Sequence, residues 1–409
     1  MTAIHFESHH PDTGSRARLG RLTTPHGTVD TPAFIVVGTQ ATVKSLRPEE
    51  VAALGAQAVL CNTYHLYLRP GADLVAELGG LHRFMGWSGP MFTDSGGYQV
   101  FSLGSGIEHG IGKLVGMFPE EDASGRRQPA RSSPGKRLSK VDDDGVTFRS
   151  HIDGSTHRLT PESSIDIQEK LGADIILAFD EPTSPLHDQG YTTQAMHRTH
   201  RWAERCLAAR RRTDQALYGI VQGGAFQRQR EQSARFIGGL PFDGFAIGGS
   251  LGKSKRDMER VLDWSVPALP ADRPRHMLGI GEPEDLFACV ERGVDTFDCV
   301  APTRLARRGV LLTGGGRLTI AQAKYRADPA PIEAGCGCPT CRSFSRAYLR
   351  HLFVADELLA YTLATMHNLF FTLNLMARVR GALADGTYAA LKDEVLGGLR
   401  SARVPATDA

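Results

Sequence analysis

The sequence predicts an α/β fold: a closed (β/α)8 barrel of the TIM type, carrying a small cysteine-rich subdomain near the C-terminus. Three observations lead there. Eight short apolar or β-rich runs recur along the 409 residues, each ending in glycine, polar or acidic residues. Segments of helical pattern lie between most of them, which favours parallel strands joined by crossover helices. Eight is also the number at which such a sheet closes on itself. An open doubly wound sheet satisfies the same alternation and stands as the alternative.

In chain order the strand candidates begin with "TPAFIVVGT" from Thr31, "AQAVLCNTYHL" from Ala56, "GPMFTDSGG" from Gly89 and "ADIILAFDE" from Ala173. They continue with "ALYGIVQGG" from Ala216, "FDGFAIGGS" from Phe242, "RHMLGIGEP" from Arg275 and "VDTFDCV" from Val294. Helical patterns between them include "RPEEVAALGA", "TTQAMHRTHRWAERCLAARR" and "EPEDLFACVERG". Active sites of such barrels lie at the C-terminal ends of the strands. Here those ends carry Asp94, Asp180, Gln222, Gly248-Gly249 and Asp298, on five different strands. Any one of them alone reads more readily as a turn residue; five on one rim read as a site.

The residues from 1 to 400 are expected to form one catalytic barrel with two additions. Residues 104–140 are rich in Gly, Pro, Ser and Arg, and from Ala123 to Lys140 there are six basic residues and no acidic one. This reads as a flexible basic insertion, a solvated loop or a nucleic-acid arm. After it, "GVTFRSHIDGSTHRLT" alternates around Asp153-Gly154 as a β-hairpin expected over the barrel mouth. The second addition, 332–376, holds "AGCGCPTCRSF" with Cys336, Cys338 and Cys341. Three thiolates so close suit one soft tetrahedral ion, zinc, which needs a fourth ligand. His351 and His367 are both within reach by spacing. A closed Cys3His set is structural, not catalytic.

With 41% hydrophobic and 22% charged residues and a net charge of +2, the chain is an ordinary soluble protein and no polycation. Nucleic-acid binding would have to come from local patches. No apolar run reaches the roughly 20 residues of a membrane span. The N-terminus "MTAIHFESHHPDTG" lacks a signal-peptide pattern. Seven cysteines, three of them within six residues, fit metal binding in a reducing cytoplasm, where the protein is expected.

Paired rim carboxylates permit a retaining displacement at a sugar carbon, one as nucleophile and one as acid and base. Beyond that physical reading, the chain resembles the tRNA-guanine transglycosylases, or queuine tRNA-ribosyltransferases, over nearly its whole length. The resemblance rests on "DTPAFIVVGTQATVKSL", "CNTYHLYLRPG", "TDSGGYQVFSL", "VTFRSHIDGSTHRLTPE", "GIVQGG", "FDGFAIGG", "FDCVAPTR", "CGCPTC" and "SRAYLRHL". It implies exchange of guanine at the tRNA wobble position for a 7-deazaguanine, through a covalent enzyme–RNA intermediate. By the same resemblance Asp298 is the nucleophile and Asp94 the general acid/base. Asp180, Gln222, Gly248 and Gly249 read the purine edge, between Tyr98 and Leu278 as stacking walls. Arg304 and Arg307 meet the anticodon, although surface salt bridging would explain them as well. The zinc ligands become Cys336, Cys338, Cys341 and His367. A homodimer and a tRNA with a guanine-starting GU anticodon are implied as partners.

The chain departs from the family pattern at three site positions, and the long basic insertion is also atypical of the family. Pro182 replaces a pocket cysteine. Gly252 stands where bacterial members carry valine, as in the eukaryotic type. Ser254 replaces the glutamate that senses the aminomethyl group of the bacterial precursor base. Queuine itself is therefore an expected substrate. Two other readings compete with this one. "GGSLGKS" imitates the phosphate loop G-x-x-x-x-G-K-[ST], but five residues before Gly252 stands Ile247. A non-catalytic tRNA-binding paralogue would be expected to lack the complete pair Asp94 and Asp298.

Overall fold

The computed structural model describes residues 3–9, 14–101 and 139–401. Of the basic insertion read at 104–140, residues 104–138 lie outside the described residues. Eight parallel strands form a closed barrel: Ala33–Val37, Val59–Cys61, Met91–Thr93, Ile175–Leu177, Ala216–Val221, Gly244–Ile247, Arg275–Met277 and Thr296–Cys299. Each falls inside the run from which it was expected. Thr296–Cys299 pairs in parallel with Ala33–Val37 and closes the ring, which removes the open-sheet alternative.

The strands are short and apolar because both of their faces are covered. Every residue of Ile175–Leu177, Ala216–Val221 and Gly244–Ile247 is buried. Ile35, Leu60, Phe92, Leu177, Tyr218 and Ala246 fill the barrel interior, while their neighbours Val36, Met91, Ile176, Leu217, Phe245 and Ile247 pack in the cluster under the helices. The N-terminal antiparallel sheet (His5–His9, Leu19–Thr24, Gly27–Thr31) sends Leu22 and Val29 into the interior cluster and plugs the end where the strands begin.

At that same end an aspartate precedes each of the fourth, sixth and eighth strands and accepts an amide from the strand before it. Asp174 takes Met91 N at 2.8 Å, Asp243 takes Leu217 N at 2.9 Å and Asp295 takes Arg275 N at 2.6 Å. Each has a cationic or imidazole partner: His26 and His82, Arg210, and Arg18 respectively. These charge-assisted bonds fix strand register at the face that serves stability in barrels of this kind.

Helices follow the strands as the pattern required. Pro161–Leu171 starts at Thr160, whose Oγ1 accepts Ser163 N at 3.2 Å, and Gln189–Ala209 starts at Asp188, which accepts Tyr191 N at 2.7 Å. The expected hairpin pairs Gly145–Arg149 with Thr156–Leu159 and gains a third strand, Ser139–Asp142, that the sequence reading left out. Its contacts run to the helix Thr63–Leu68, through Tyr64 OH and His151 Nδ1 at 3.0 Å, and to Gln189–Ala209, through Trp202 Nε1 donating to Asp143 O at 2.8 Å.

After the eighth strand come Ala301–Ala306, the hairpin Val310–Thr313/Gly316–Thr319 and the cysteine-rich region. The 27-residue helix Leu358–Ala384 joins that region to the barrel. Its first turns (Ala360, Leu363, Ala364) pack with Cys338 and Cys341, and its later turns (Leu373, Met376, Val379) join the barrel core. The local core of the cysteine region also draws Leu311, Ile320 and Tyr325 from before residue 332. Among the described residues no helix is long and apolar enough to cross a membrane.

Candidate active site and metal centre

Asp94 stands just past the third strand, where donors from the loop after the second strand and from Gln99, five residues on, converge on it. Thr63 N donates to Oδ1 at 2.8 Å, Gln99 Nε2 to Oδ2 at 3.0 Å, and Asn62 Nδ2 also donates to Oδ2. Asn62 is fixed by its second task as N-cap of Thr63–Leu68, accepting His65 N at 3.2 Å. Burial pushes the Asp94 carboxyl up to about 7; the bonds from Thr63 and Gln99 pull down against it, and the charge of Asp298 pushes further up. A carboxyl balanced near neutrality gives and takes a proton with comparable ease.

Asp298 is the last residue but one of the eighth strand, with a side chain 14% exposed. Its Oδ1 accepts Gly279 N at 3.1 Å and lies 3.3 Å from His276 Nε2. Asp94, just past the third strand, and Asp298, on the eighth, stand on one rim, near enough for the charge of Asp298 to help raise the Asp94 carboxyl.

Asp180 and Gln222 form a second, fully buried pair. Gln222 Nε2 donates to Asp180 Oδ2 at 2.6 Å, and Ser95 Oγ donates to Oδ1 at 2.9 Å. Burial raises the Asp180 carboxyl to about 6. Gln222 Oε1 is buried without a hydrogen-bond partner and lies against Gly249. The glycines after the sixth strand explain themselves here. A Cβ at Gly248 would lie 3.2 Å from Leu278 Cδ1 and 3.3 Å from Gln222 Nε2. At Gly249, with φ +72°, it would lie 1.9 Å from Gln222 Oε1. Leu278, Gly248, Gly249, Gln222 and Asp180 therefore form one wall. Glu181 turns away into its own bonds with Tyr191 OH, at 2.7 Å, and Arg198.

Sequence reasoning missed the group that holds this wall. Arg230 is completely buried and donates to four carbonyls: Gly224 O at 2.6 Å, Val221 O at 2.9 Å, Gly248 O at 2.9 Å and Ser250 O at 2.8 Å. It ties the loop after the fifth strand to the loop after the sixth. Asn62, Ser95, Gln99 and His276 were missed too. Only Asn62, just ahead of a helix start, carries a local signal.

Tyr98 is 63% exposed at the mouth, near enough to Arg304 to feel its charge. Arg304 and Arg307 lie on Ala301–Ala306 and its C-cap. Among the described residues neither has a carboxylate within ion-pair distance; Arg307 Nη1 donates to Thr303 O at 2.9 Å. Each lowers the case for simple salt bridging. The loop that imitates a phosphate cradle is already filled. Lys253 N and Ser254 N donate to Asp257 Oδ2 at 3.0 and 3.2 Å, and Ser254 Oγ accepts Asp257 N at 3.2 Å as N-cap of Lys255–Ser265.

The cysteine region brings together Cys336, Cys338, Cys341 and His367. His367 Nδ1 lies 3.8, 3.5 and 3.4 Å from the three sulfurs, against about 3.5 Å for ligands on a tetrahedral zinc at ordinary bond lengths. Its Nε2 lies 2.7 Å from Leu312 O, and donation there leaves the Nδ1 lone pair facing the thiols. His351 is not in the cluster; its ring tilts against Tyr348. The residues fit a metal ion with all four positions taken by protein.

Comparison with known proteins gives the family. A model of the family described as "Queuine tRNA-ribosyltransferase" matches residues 12–114 and 122–400. A queuine tRNA-ribosyltransferase of Herpetosiphon aurantiacus is 52% identical over 97% of this chain and 93% of its own. One from a Roseiflexus species is 49% identical, covering 96% of this chain and 99% of its own. That of Symbiobacterium thermophilum is 51% identical over 95% and 89%. A closed barrel, a rim of paired acids and these matches from end to end place the chain in the queuine tRNA-ribosyltransferase family of pentosyltransferases.

Proposed function

We propose that the barrel mouth exchanges guanine in a tRNA anticodon for a 7-deazaguanine base by double displacement at the ribose C1′. The observation that carries this reading is the pairing of Asp298 with an Asp94 whose carboxyl is raised to about 7. Asp298 attacks C1′; the C1′–N9 bond breaks, and guanine leaves with that electron pair and a proton from Asp94. The incoming base then gives its N9 proton to Asp94 and attacks C1′. The C1′–carboxylate bond breaks and its electron pair returns to Asp298. Two inversions retain the configuration.

Asp180 and Gln222 read the purine edge, with the unpartnered Gln222 Oε1 as one unspent acceptor. Gly248 and Gly249 let the base approach the backbone, and Tyr98 and Leu278 close on its faces. Arg304 and Arg307 bind anticodon phosphates. One Zn2+ per chain would be held by Cys336, Cys338, Cys341 and His367, supplying a structural crosslink and no chemistry. The partners are a tRNA with a GU anticodon and a second copy of the chain in a homodimer. The absence of a carboxylate at Ser254 supports use of queuine.

The test is incorporation of labelled guanine, queuine and 7-aminomethyl-7-deazaguanine into such a tRNA, with the enzyme–RNA adduct resolved on a denaturing gel. Exchange that needs no nucleoside triphosphate and an adduct lost in Asp298→Asn are expected. An Asp298→Asn enzyme that still exchanges bases would overturn the mechanism. Strong use of the aminomethyl base with none of queuine would overturn the substrate reading.

A further inference from the structure

We infer that His276 is a positioning residue for Asp298, holding its Oδ1 so that Oδ2 is the oxygen that attacks C1′. The inference rests on the reading of Asp298 as nucleophile.

His276 lies in the seventh strand, fully buried inside the barrel with its ring 5.5 Å from that of Phe92. Its Nδ1 is 2.9 Å from Thr296 Oγ1, on the eighth strand two residues before Asp298. Its Nε2 has no well-aligned hydrogen-bond partner and stands 3.3 Å from Asp298 Oδ1. Of the two neutral tautomers, a buried imidazole nitrogen this close to a carboxylate oxygen favours one. Thr296 Oγ–H donates to Nδ1, and the proton sits on Nε2, facing Oδ1. The reverse tautomer would set two lone pairs against each other in a dry interior, where an unmade bond is costly.

Gly279 N donates to the same Oδ1 at 3.1 Å. Two donors therefore converge on Oδ1, while among the described residues no hydrogen bond reaches Oδ2. The more electron-rich and less encumbered oxygen is Oδ2. The Gly279 bond at Oδ1, with the His276 Nε2–H facing the same oxygen, restricts the rotation of the carboxylate about its terminal torsion, which by itself is broad. The same contact acts in the second displacement. As the C1′–Oδ2 bond breaks, negative charge returns to the carboxylate, and the Nε2–H, misaligned at rest, is placed to stabilise it.

His276→Phe removes the donor and keeps the ring volume; His276→Gln keeps an amide N–H at about the same reach. Steady-state exchange of labelled guanine is measured for both, with trapping of the adduct and thermal melting. The expected result for His276→Phe is a kcat lower by roughly 10- to 100-fold with KM for tRNA within about twofold. His276→Gln recovers most of the loss. An undiminished kcat in His276→Phe, or equal losses in both variants together with a raised KM and lowered melting temperature, overturns the inference. Should His276→Phe not fold, the wild-type enzyme decides: 15N shifts of labelled histidine must show protonated Nε2 and bare Nδ1 for His276. The opposite tautomer refutes the proposal. An adduct that survives in Asp298→Asn would instead remove the nucleophile reading beneath it, a separate failure.

Discussion

Replacing Gly249 by alanine should damage base recognition through a side chain it does not replace. Gly249 has φ +72°, and an added Cβ would lie 1.9 Å from Gln222 Oε1 and 2.9 Å from Gln222 Cδ. The left-handed backbone costs an alanine about 1–2 kcal/mol. The overlap is relieved only if the Gln222 amide swings away, forfeiting its 2.6 Å bond to Asp180 Oδ2. A bond to an ionised acceptor is worth about 1.5–3 kcal/mol. Together the substitution should cost roughly 2.5–5 kcal/mol of stability. The second part also leaves the purine wall, raising KM for guanine about 10- to 100-fold at 1.4 kcal/mol per decade. The assay is a double-mutant cycle with Gln222→Ala, read by denaturant unfolding and by guanine incorporation. In the double variant the clash is gone, so Gly249→Ala adds only its backbone cost to the loss already caused by Gln222→Ala. The two substitutions should therefore be less than additive by about 1.5–3 kcal/mol. Additivity within about 0.5 kcal/mol, or an unchanged KM for guanine in Gly249→Ala, would refute the reasoning.

Three further outcomes are expected. Asp94, raised to about 7, must be protonated for guanine to leave and ionised for the new base to attack. Quench-flow should therefore show adduct formation slowing as pH rises above about 7 and adduct breakdown slowing as it falls below; parallel profiles would contradict this. Elemental analysis should find one zinc per chain, and Cys338→Ala should lose it along with several degrees of melting temperature, since Cys338 is fully buried in the local core. Arg304→Ala and Arg307→Ala should each weaken tRNA binding and reduce its slope against log salt by about one, leaving KM for guanine in place.

The barrel was legible because each strand is a short apolar run with a polar end, and both features follow from burial on two faces. The rim acids were legible for the same reason: they are the first residues that the covered strand releases. What stayed hidden is what depends on distance across the ring. Arg230 sits 18 residues from Gly248 in sequence; its spacing from Ala234 and Ile237 puts it on the buried face of its helix, but nothing in the sequence shows that four rim carbonyls wait for it there. His276 looks like an ordinary strand residue until Thr296 and Asp298 arrive from the neighbouring strand. The choice between His351 and His367 was equally closed to spacing, because the long helix that carries His367 brings it back over the cysteines. Asp174, Asp243 and Asp295 are visible in the sequence, but their shared role appears only when three strand pairs are seen to use the same bond.

The rim loop after the sixth strand shows how a local cause can imitate a functional one. Gly252 invites the reading that a small residue makes room for the arm of the incoming base. Yet its φ is +97°, and a Cβ there would fall 2.2 Å from Asp257 Cβ. The glycine is required by the reciprocal cap between Ser254 and Asp257, whatever base binds. The room it leaves is consequently weak support for queuine. Ser254 is different. Its Oγ serves as N-cap, but a glutamate in its place would give up that cap at a cost of about 1 kcal/mol while supplying a charge for an aminomethyl group. The chain keeps the cap and forgoes the charge. The case for queuine therefore rests on the missing carboxylate at 254 and not on the missing side chain at 252.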